Sequence, residues 1–133
     1  MILIDTNVLL DIVTDDPTWA DWSQQQLSAA ALRDRLAINP VVYAEFSSHF
    51  AKIEEIDAVL ASADIAVTEM PRTALFLAGQ AFKTYRRRGG VRISVLPDFF
   101  IGAHAAVLGA PLMTRDAGRY RSYFPGVELI APD

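Results

Sequence analysis

Five short apolar runs are spread along the chain with longer helix-like stretches between them, and this alternation constrains the fold more than any other feature. The runs are ILI at 2–4, LAI at 36–38, IAVTEM at 65–70, PLMT at 111–114 and VELI at 127–130. The first two read as buried strands and the third as a short extended piece. Helices are expected from Asn7 to about Thr14, stopping before Asp15, Asp16 and Pro17, and from Trp19 to about Arg35. Pro40 suits the first turn of a helix running through VVYAEFSSHF, and Glu54 to about Ala63 forms another. Pro71 opens TALFLAGQAFKTYRRR, which Gly89 and Gly90 end, and Pro97 with Asp98 starts FFIGAHAAVLG, closed by Gly109. Strands separated by helices predict an α/β three-layer sandwich, with a central, mostly parallel sheet of about four to five short strands flanked by helices. No repeat or linker divides the 133 residues, so a single domain spanning 1–133 is expected.

Composition removes several chemistries. The chain has no cysteine, which excludes disulfides, thiolate catalysis and Cys-rich zinc sites and suits a cytoplasmic protein. The sequence enters its first strand with no basic leader. Its longest uncharged run, Phe99 to Thr114, contains His104, two glycines and Pro111 and falls short of the ~18 apolar residues of a membrane span. A soluble protein with no membrane partner is therefore expected. A hydrophobic content of 52% leaves apolar surface for a protein partner.

The net charge of −4 hides a segregation of sign. Residues 1–82 hold twelve acids and four bases, whereas residues 83–121 hold eight bases (Lys83, Arg86, Arg87, Arg88, Arg92, Arg115, Arg119, Arg121) and two acids, Asp98 and Asp116. In an open parallel sheet, sites form beyond the carboxyl ends of the strands. Asp5 follows ILI there, and Asp116 stands two residues after PLMT. Glu45 is the only formal charge between Arg35 and Lys52, and on a helix leaning toward its N-terminus it points back to the same edge. Asp98 joins them if its helix also begins at this edge. N-capping accounts for Asp5 and Asp98 singly, an ion pair for Glu45, and a turn with Gly118 for Asp116. None of these accounts explains why all four project to one end of one sheet. Gathered carboxylates repel unless cations neutralise them, and hard oxygen ligands favour Mg²⁺ or Mn²⁺ over zinc. Without these four, twelve acids balance twelve bases and the 83–121 segment is wholly basic, as a site that receives a polyanion requires.

In order and spacing, the N-terminal strand ending in DTN, the helical glutamate of VVYAEF, PDFFIGAHA and LMTRDAGRYRSYFPGVELIAP resemble the PIN-domain ribonucleases. The closest likeness is to the VapC-like toxins of type II toxin–antitoxin systems. The resemblance covers essentially the whole chain, and the last two stretches are the most specific. It implies a PIN-like fold in which Asp5, Glu45, Asp98 and Asp116 hold one or two Mg²⁺ or Mn²⁺ ions, with Asn7 and Thr114 as supporting polar residues. It also implies a homodimer, and a VapB-like antitoxin whose C-terminal segment lies across the active-site groove. The chemistry expected is hydrolysis of an RNA phosphodiester by in-line attack of water, leaving a 5′-phosphate and a 3′-hydroxyl, with Asp5 bridging the metals. Arg115 and Arg119 beside the acids, and Arg86, Arg87, Arg88 and Arg92, are candidate RNA phosphate contacts, although arginines near a helix end are also favoured by its dipole.

His49 and His104 fall in apolar helices and read as core or surface residues rather than catalysts. Tyr43, Phe46 and Phe50 suit the core, a dimer face or an antitoxin groove, and Trp19 and Trp22 fit either use. A receiver-type signalling domain requires an acidic pair at the first strand and a later lysine, and no lysine follows Lys83. A haloacid-dehalogenase-type phosphatase requires an acid where Asn7 stands, and a Rossmann enzyme a glycine-rich turn that DTNVLL lacks. A metal-free binding module on the same fold is the remaining alternative.

Overall fold

The computed structural model describes residues 1–133. In chain order the elements are β1 (Ile2–Ile4), α1 (Thr6–Val13), α2 (Ala20–Arg33), β2 (Leu36–Ile38), α3 (Pro40–Ser47), α4 (Ile53–Ser62), β3 (Ile65–Val67), α5 (Arg72–Arg87), a 3₁₀ turn (Ile93–Val95), α6 (Leu96–Leu108), β4 (Leu112–Met113), α7 (Gly118–Tyr123) and β5 (Leu129–Ile130). The sheet is parallel throughout, in the order β3-β2-β1-β4-β5. β1 takes the centre because all three of its residues are apolar and must be covered on both faces; each is buried, and Leu3 stands opposite both Ala37 and Leu112. From β1 the chain builds β2 and β3 to one side, then returns to lay β4 and β5 on the other. The order therefore reverses between β1 and β4, which opens a crevice at their carboxyl ends.

The three layers match the sequence reading, with local differences that have physical causes. α3 ends at Ser47 rather than continuing to Phe50, and IAVTEM contributes only Ile65–Val67, an edge strand whose Ala66 and Val67 are exposed. VELI shortens to Leu129–Ile130 at the opposite edge. α7, formed by GRYRSY, was not expected: six residues beginning with glycine carry no apolar period and little intrinsic helix preference. Tertiary packing holds it. Tyr120 is buried, and Phe124, one residue past the helix, is buried against Phe99 of α6.

An aromatic cluster fixes how α5, α6 and α7 meet. Phe99 has Phe82, Tyr85, Tyr123 and Phe124 around it at centroid distances of 5.2–6.2 Å. Such pairs add roughly 0.5–1.5 kcal/mol each beyond the area they bury. Because Phe99 follows Asp98 directly, the cluster sets the start of α6 against both the arginine-rich end of α5 and the helix that follows Asp116. No helix is long and apolar enough to cross a membrane.

Gly102 marks a close approach within this packing. A Cβ there would lie 2.4 Å from the ring of buried Phe124, so the ring or the helix must shift to admit it. Gly102→Ala is therefore expected to destabilise the fold by about 1–3 kcal/mol, read as a lower urea midpoint with an unchanged slope; an unaltered midpoint would mean that α7 is not clamped against α6.

Candidate active site

Asp5 ends β1 and caps α1, its Oδ1 accepting from the Thr6 backbone N–H at 2.7 Å. Its Oδ2 accepts from Thr114 Oγ1 at 2.8 Å, Tyr120 OH at 2.9 Å and Asn7 Nδ2 at 3.3 Å. The carboxyl is thus held by α1, by the end of β4 and by α7. It is buried, and burial pushes its pKa up to about 6; the charge of Asp98 adds to the rise, while the Thr114, Tyr120 and Thr6 hydrogen bonds oppose it. Tyr120 is raised well above the ordinary tyrosine value, first by its own burial and then by the charges of Asp5 and Asp98, so it remains a donor.

Glu45 lies half-buried on α3, and its Oε1 accepts from Thr6 Oγ1 at 2.6 Å. Asp98 does not cap α6 as its position suggested. The helix begins two residues earlier, at Leu96, so Asp98 sits within the first turn and pairs with Arg119 Nη1 at 2.6 Å. Its pKa is raised by burial foremost; Arg119 opposes the rise, while the charges of Glu45 and Asp116 reinforce it. Asp116 is exposed on the loop between β4 and α7, where its backbone N–H donates to Thr114 Oγ1 at 3.1 Å. Asp5, Glu45 and Asp98, with Thr6, Asn7 and His49, line one open depression at the carboxyl edge of the sheet. Asp116 stands outside its lining but close enough to be felt at Asp98.

The convergence expected of the four acids is accordingly incomplete. No three carboxylate or imidazole side chains are gathered closely enough to hold an ion as they stand. The reason lies in the hydrogen bonds: Glu45 is drawn to Thr6, Asp98 to Arg119, and the Oδ2 of Asp5 into the Thr114–Tyr120 pair. The donor set nonetheless fits a hard divalent cation. All the donors are oxygens, the charge of Asp98 raises the pKa of Asp5 while those of Glu45 and Asp116 raise that of Asp98, and a guanidinium already stands in as counter-charge.

Asn7 and Thr114 both donate to Asp5, and other residues join them. Asn7 donates to Asp5 and to Thr114, and its Oδ1 accepts from the Arg115 backbone N–H at 3.2 Å. Thr6 and Tyr120 were not singled out from the sequence. Thr6 lies inside the DTN motif as the neighbour of Asp5, whereas nothing marked Tyr120, because α7 was not foreseen. Arg115, taken as an RNA contact, has a different main engagement: its Nε donates to buried Asp11 at 2.8 and 3.0 Å, where Ser23 Oγ also donates, and its guanidinium lies 5.8 Å from the Trp19 ring centroid. Arg86 lies over Phe82 and Arg88 over Tyr123; Arg86, Arg87, Arg88 and Arg92 are exposed near the start of α6. His104 is fully buried with neither ring nitrogen hydrogen-bonded, and its pKa is held below the ordinary value by burial. Exposed His49 sits on the wall of the depression beyond the end of α3.

The sequence profile of the PIN domain matches residues 2–124. The chain belongs to the PIN-domain family. Solved structures share its fold at low identity. A chain of VapBC2 from Rickettsia felis, bound to a DNA fragment from its promoter, is 22% identical with a TM-score of 0.76, covering 100% of both chains. VapBC-1 from nontypeable Haemophilus influenzae gives 20% and 0.73 over 98% of both chains. A toxin–antitoxin complex from Klebsiella pneumoniae gives 19% and 0.68, over 96% of this chain and 95% of that one. No curated protein matches the chain.

Asp5 of this PIN domain supplies a test of the site's electrostatics. Its carboxyl stays protonated to about pH 6 when folded, against an ordinary value of 3.8 when unfolded. The stability of the neutral form is thus complete below about pH 4 and is lost as pH rises through 6, to a total of about 3 kcal/mol. In EDTA at pH 7.5, Asp5→Asn is expected to raise the melting temperature by several degrees, since an amide still caps α1 and the two hydroxyls can rotate to accept from it. The gain should shrink steadily toward pH 4. A fall in melting temperature at pH 7.5 would mean that the charged cap outweighs the burial.

Proposed function

We propose that this PIN domain is a divalent-metal-dependent endoribonuclease, the VapC-like toxin of a type II toxin–antitoxin pair, working in the cytoplasm as a single domain. The observation that carries the reading is the electrostatic coupling of Asp98 to Asp5, Glu45 and Asp116: the first three line the depression at the carboxyl edge of the sheet, and Asp116 stands outside its lining. Asp5, Glu45, Asp98 and Asp116 would hold one or two Mg²⁺ or Mn²⁺ ions. When bound, such ions make water a competent nucleophile at neutral pH and stabilise the charge that develops on the scissile phosphate and the departing oxygen.

The protein's own residues prepare that chemistry. Thr114, Tyr120 and Asn7 converge on Oδ2 of Asp5 and fix the carboxylate plane, leaving Oδ1 with the Thr6 N–H alone. Thr6 Oγ1 orients Glu45 from the next residue along, so one turn of backbone sets two acids. Asn7 and the Asp11–Arg115 pair tie the loop carrying Asp116 to α1. The exposed arginines at the end of α5, with Arg119, would meet phosphates flanking the scissile bond. Water attacks the phosphorus in line, and the bond to the 3′ oxygen breaks to leave a 5′-phosphate and a 3′-hydroxyl.

Two apolar surfaces suit the proposed partners. Tyr43, Phe50, Ile53 and Ile56 line a groove between α3 and α4 near the acids, open to an antitoxin segment. Leu75 and Phe76 on α5 are exposed, as a homodimer face requires before assembly.

Cleavage of single-stranded RNA should require Mg²⁺ or Mn²⁺, cease in excess EDTA, and fall by about 100-fold or more in Asp98→Asn, with 5′-phosphate ends on the products. Full activity in EDTA, or an unimpaired Asp98→Asn variant, would refute the metal-nuclease reading.

A further inference from the structure

We propose that Arg119 is a built-in counter-ion that occupies Asp98 in the metal-free protein and is exchanged for the divalent ion when the site loads, freeing a guanidinium beside the acids for a substrate phosphate. The proposal rests on the metal-nuclease reading above and assigns the order of events at that site.

The site acids do not share one kind of partner. Asp5 and Glu45 are held by neutral donors: a backbone N–H, the hydroxyls of Thr6, Thr114 and Tyr120, and the Asn7 amide. Asp98 alone is held by a cation, at 2.6 Å. It is also the acid on which repulsion concentrates, because the charges of Glu45 and Asp116 act on it while its own acts on Asp5. A positive charge placed there faces the acid that the others act on, and Arg119 is that charge.

The two arginines near the acids differ in how firmly they are held. Arg115 is paired with Asp11, whose side chain is 3% exposed and which also accepts from Ser23, so removing Arg115 would strand a buried charge. The Arg119 pair is half-buried, with side-chain exposures of 26% and 33%, so water reaches both groups when they part. Arg119 can therefore leave Asp98 at a smaller cost than Arg115 can leave Asp11. A divalent ion at Asp98 would face the guanidinium at close range across one carboxylate, so the two cations compete for it. Once displaced, Arg119 remains tethered to α7 between the basic end of α5 and the acids, in position to meet a polyanion.

Competition makes a prediction opposite in sign to simple support of the ligand. Calorimetric titration of Mn²⁺ into the full chain in metal-stripped buffer should give binding at least about fivefold tighter in Arg119→Gln than in the wild type, and at least about fivefold weaker in Asp98→Asn. If Asp98→Asn loses affinity while Arg119→Gln binds equally or more weakly, counter-ion exchange is overturned and the metal site stands. Absence of saturable Mn²⁺ binding in all three proteins overturns both readings. A second measurement needs no variant to fold: the Nε–Hε resonance of Arg119 in a ¹⁵N spectrum should move when diamagnetic Mg²⁺ saturates the wild type. A resonance unchanged at saturation would mean that Arg119 stays on Asp98, and would end the proposal.

Discussion

The carboxyl group of Asp5 is the constraint on which the rest of the site depends. It closes the central strand, starts the first helix and receives donors from β4 and α7, so elements more than 100 residues apart in sequence meet on two oxygens. A carboxylate buried this deeply is tolerated only because it is surrounded by donors, and even then burial outweighs them and keeps its proton on to about pH 6. The buried Tyr120 hydroxyl has Asp5 as its one hydrogen-bond partner, and the buried Thr114 hydroxyl links Asp5 to Asn7 and to the backbone of Asp116. Position and chemistry are therefore inseparable at this edge of the sheet.

From that anchor the charges spread outward in order of exposure. Asp5 is buried and held by neutral groups, Glu45 and Asp98 are half-buried, and Asp116 is exposed. Positive charge is ordered the same way. Arg115 is committed to a buried acid outside the site, Arg119 to a half-exposed acid within it, and the arginines ending α5 lie only against aromatic faces or in solvent. A net negative chain can thus present a basic rim around an acidic floor, which is the arrangement a nucleic-acid-cleaving centre needs.

Much of this was legible in the residues. The strands and the helices through α6 follow from short apolar runs, prolines at helix starts and glycines at helix ends, signals that act within a few residues and survive without tertiary context. Asp5 and Glu45 could be located because each is an isolated charge in apolar surroundings, which demands a partner. The site's inner support was less legible. α7 has neither period nor propensity and exists because Tyr120 and Phe124 are buried by distant elements; with α7 unseen, Tyr120 could not be matched to Asp5, nor Arg119 to Asp98. Asp98 resembles a cap because it directly precedes the apolar run FFIGAHA, whereas α6 begins at Leu96 with Val95 at its cap.

The sequence by itself determined the layered parallel architecture, the edge at which the acids emerge, and the residue types, all hard oxygen donors, that limit what the edge could bind. These are consequences of local pattern and chain direction. Tertiary structure alone decided which oxygens face one another, which acid carries the cation, and which arginine is bound to the framework and which can move. Those outcomes depend on separations of a few ångströms between side chains far apart in the chain, where desolvation and direct charge interaction change steeply with distance, and no spacing in the sequence encodes them.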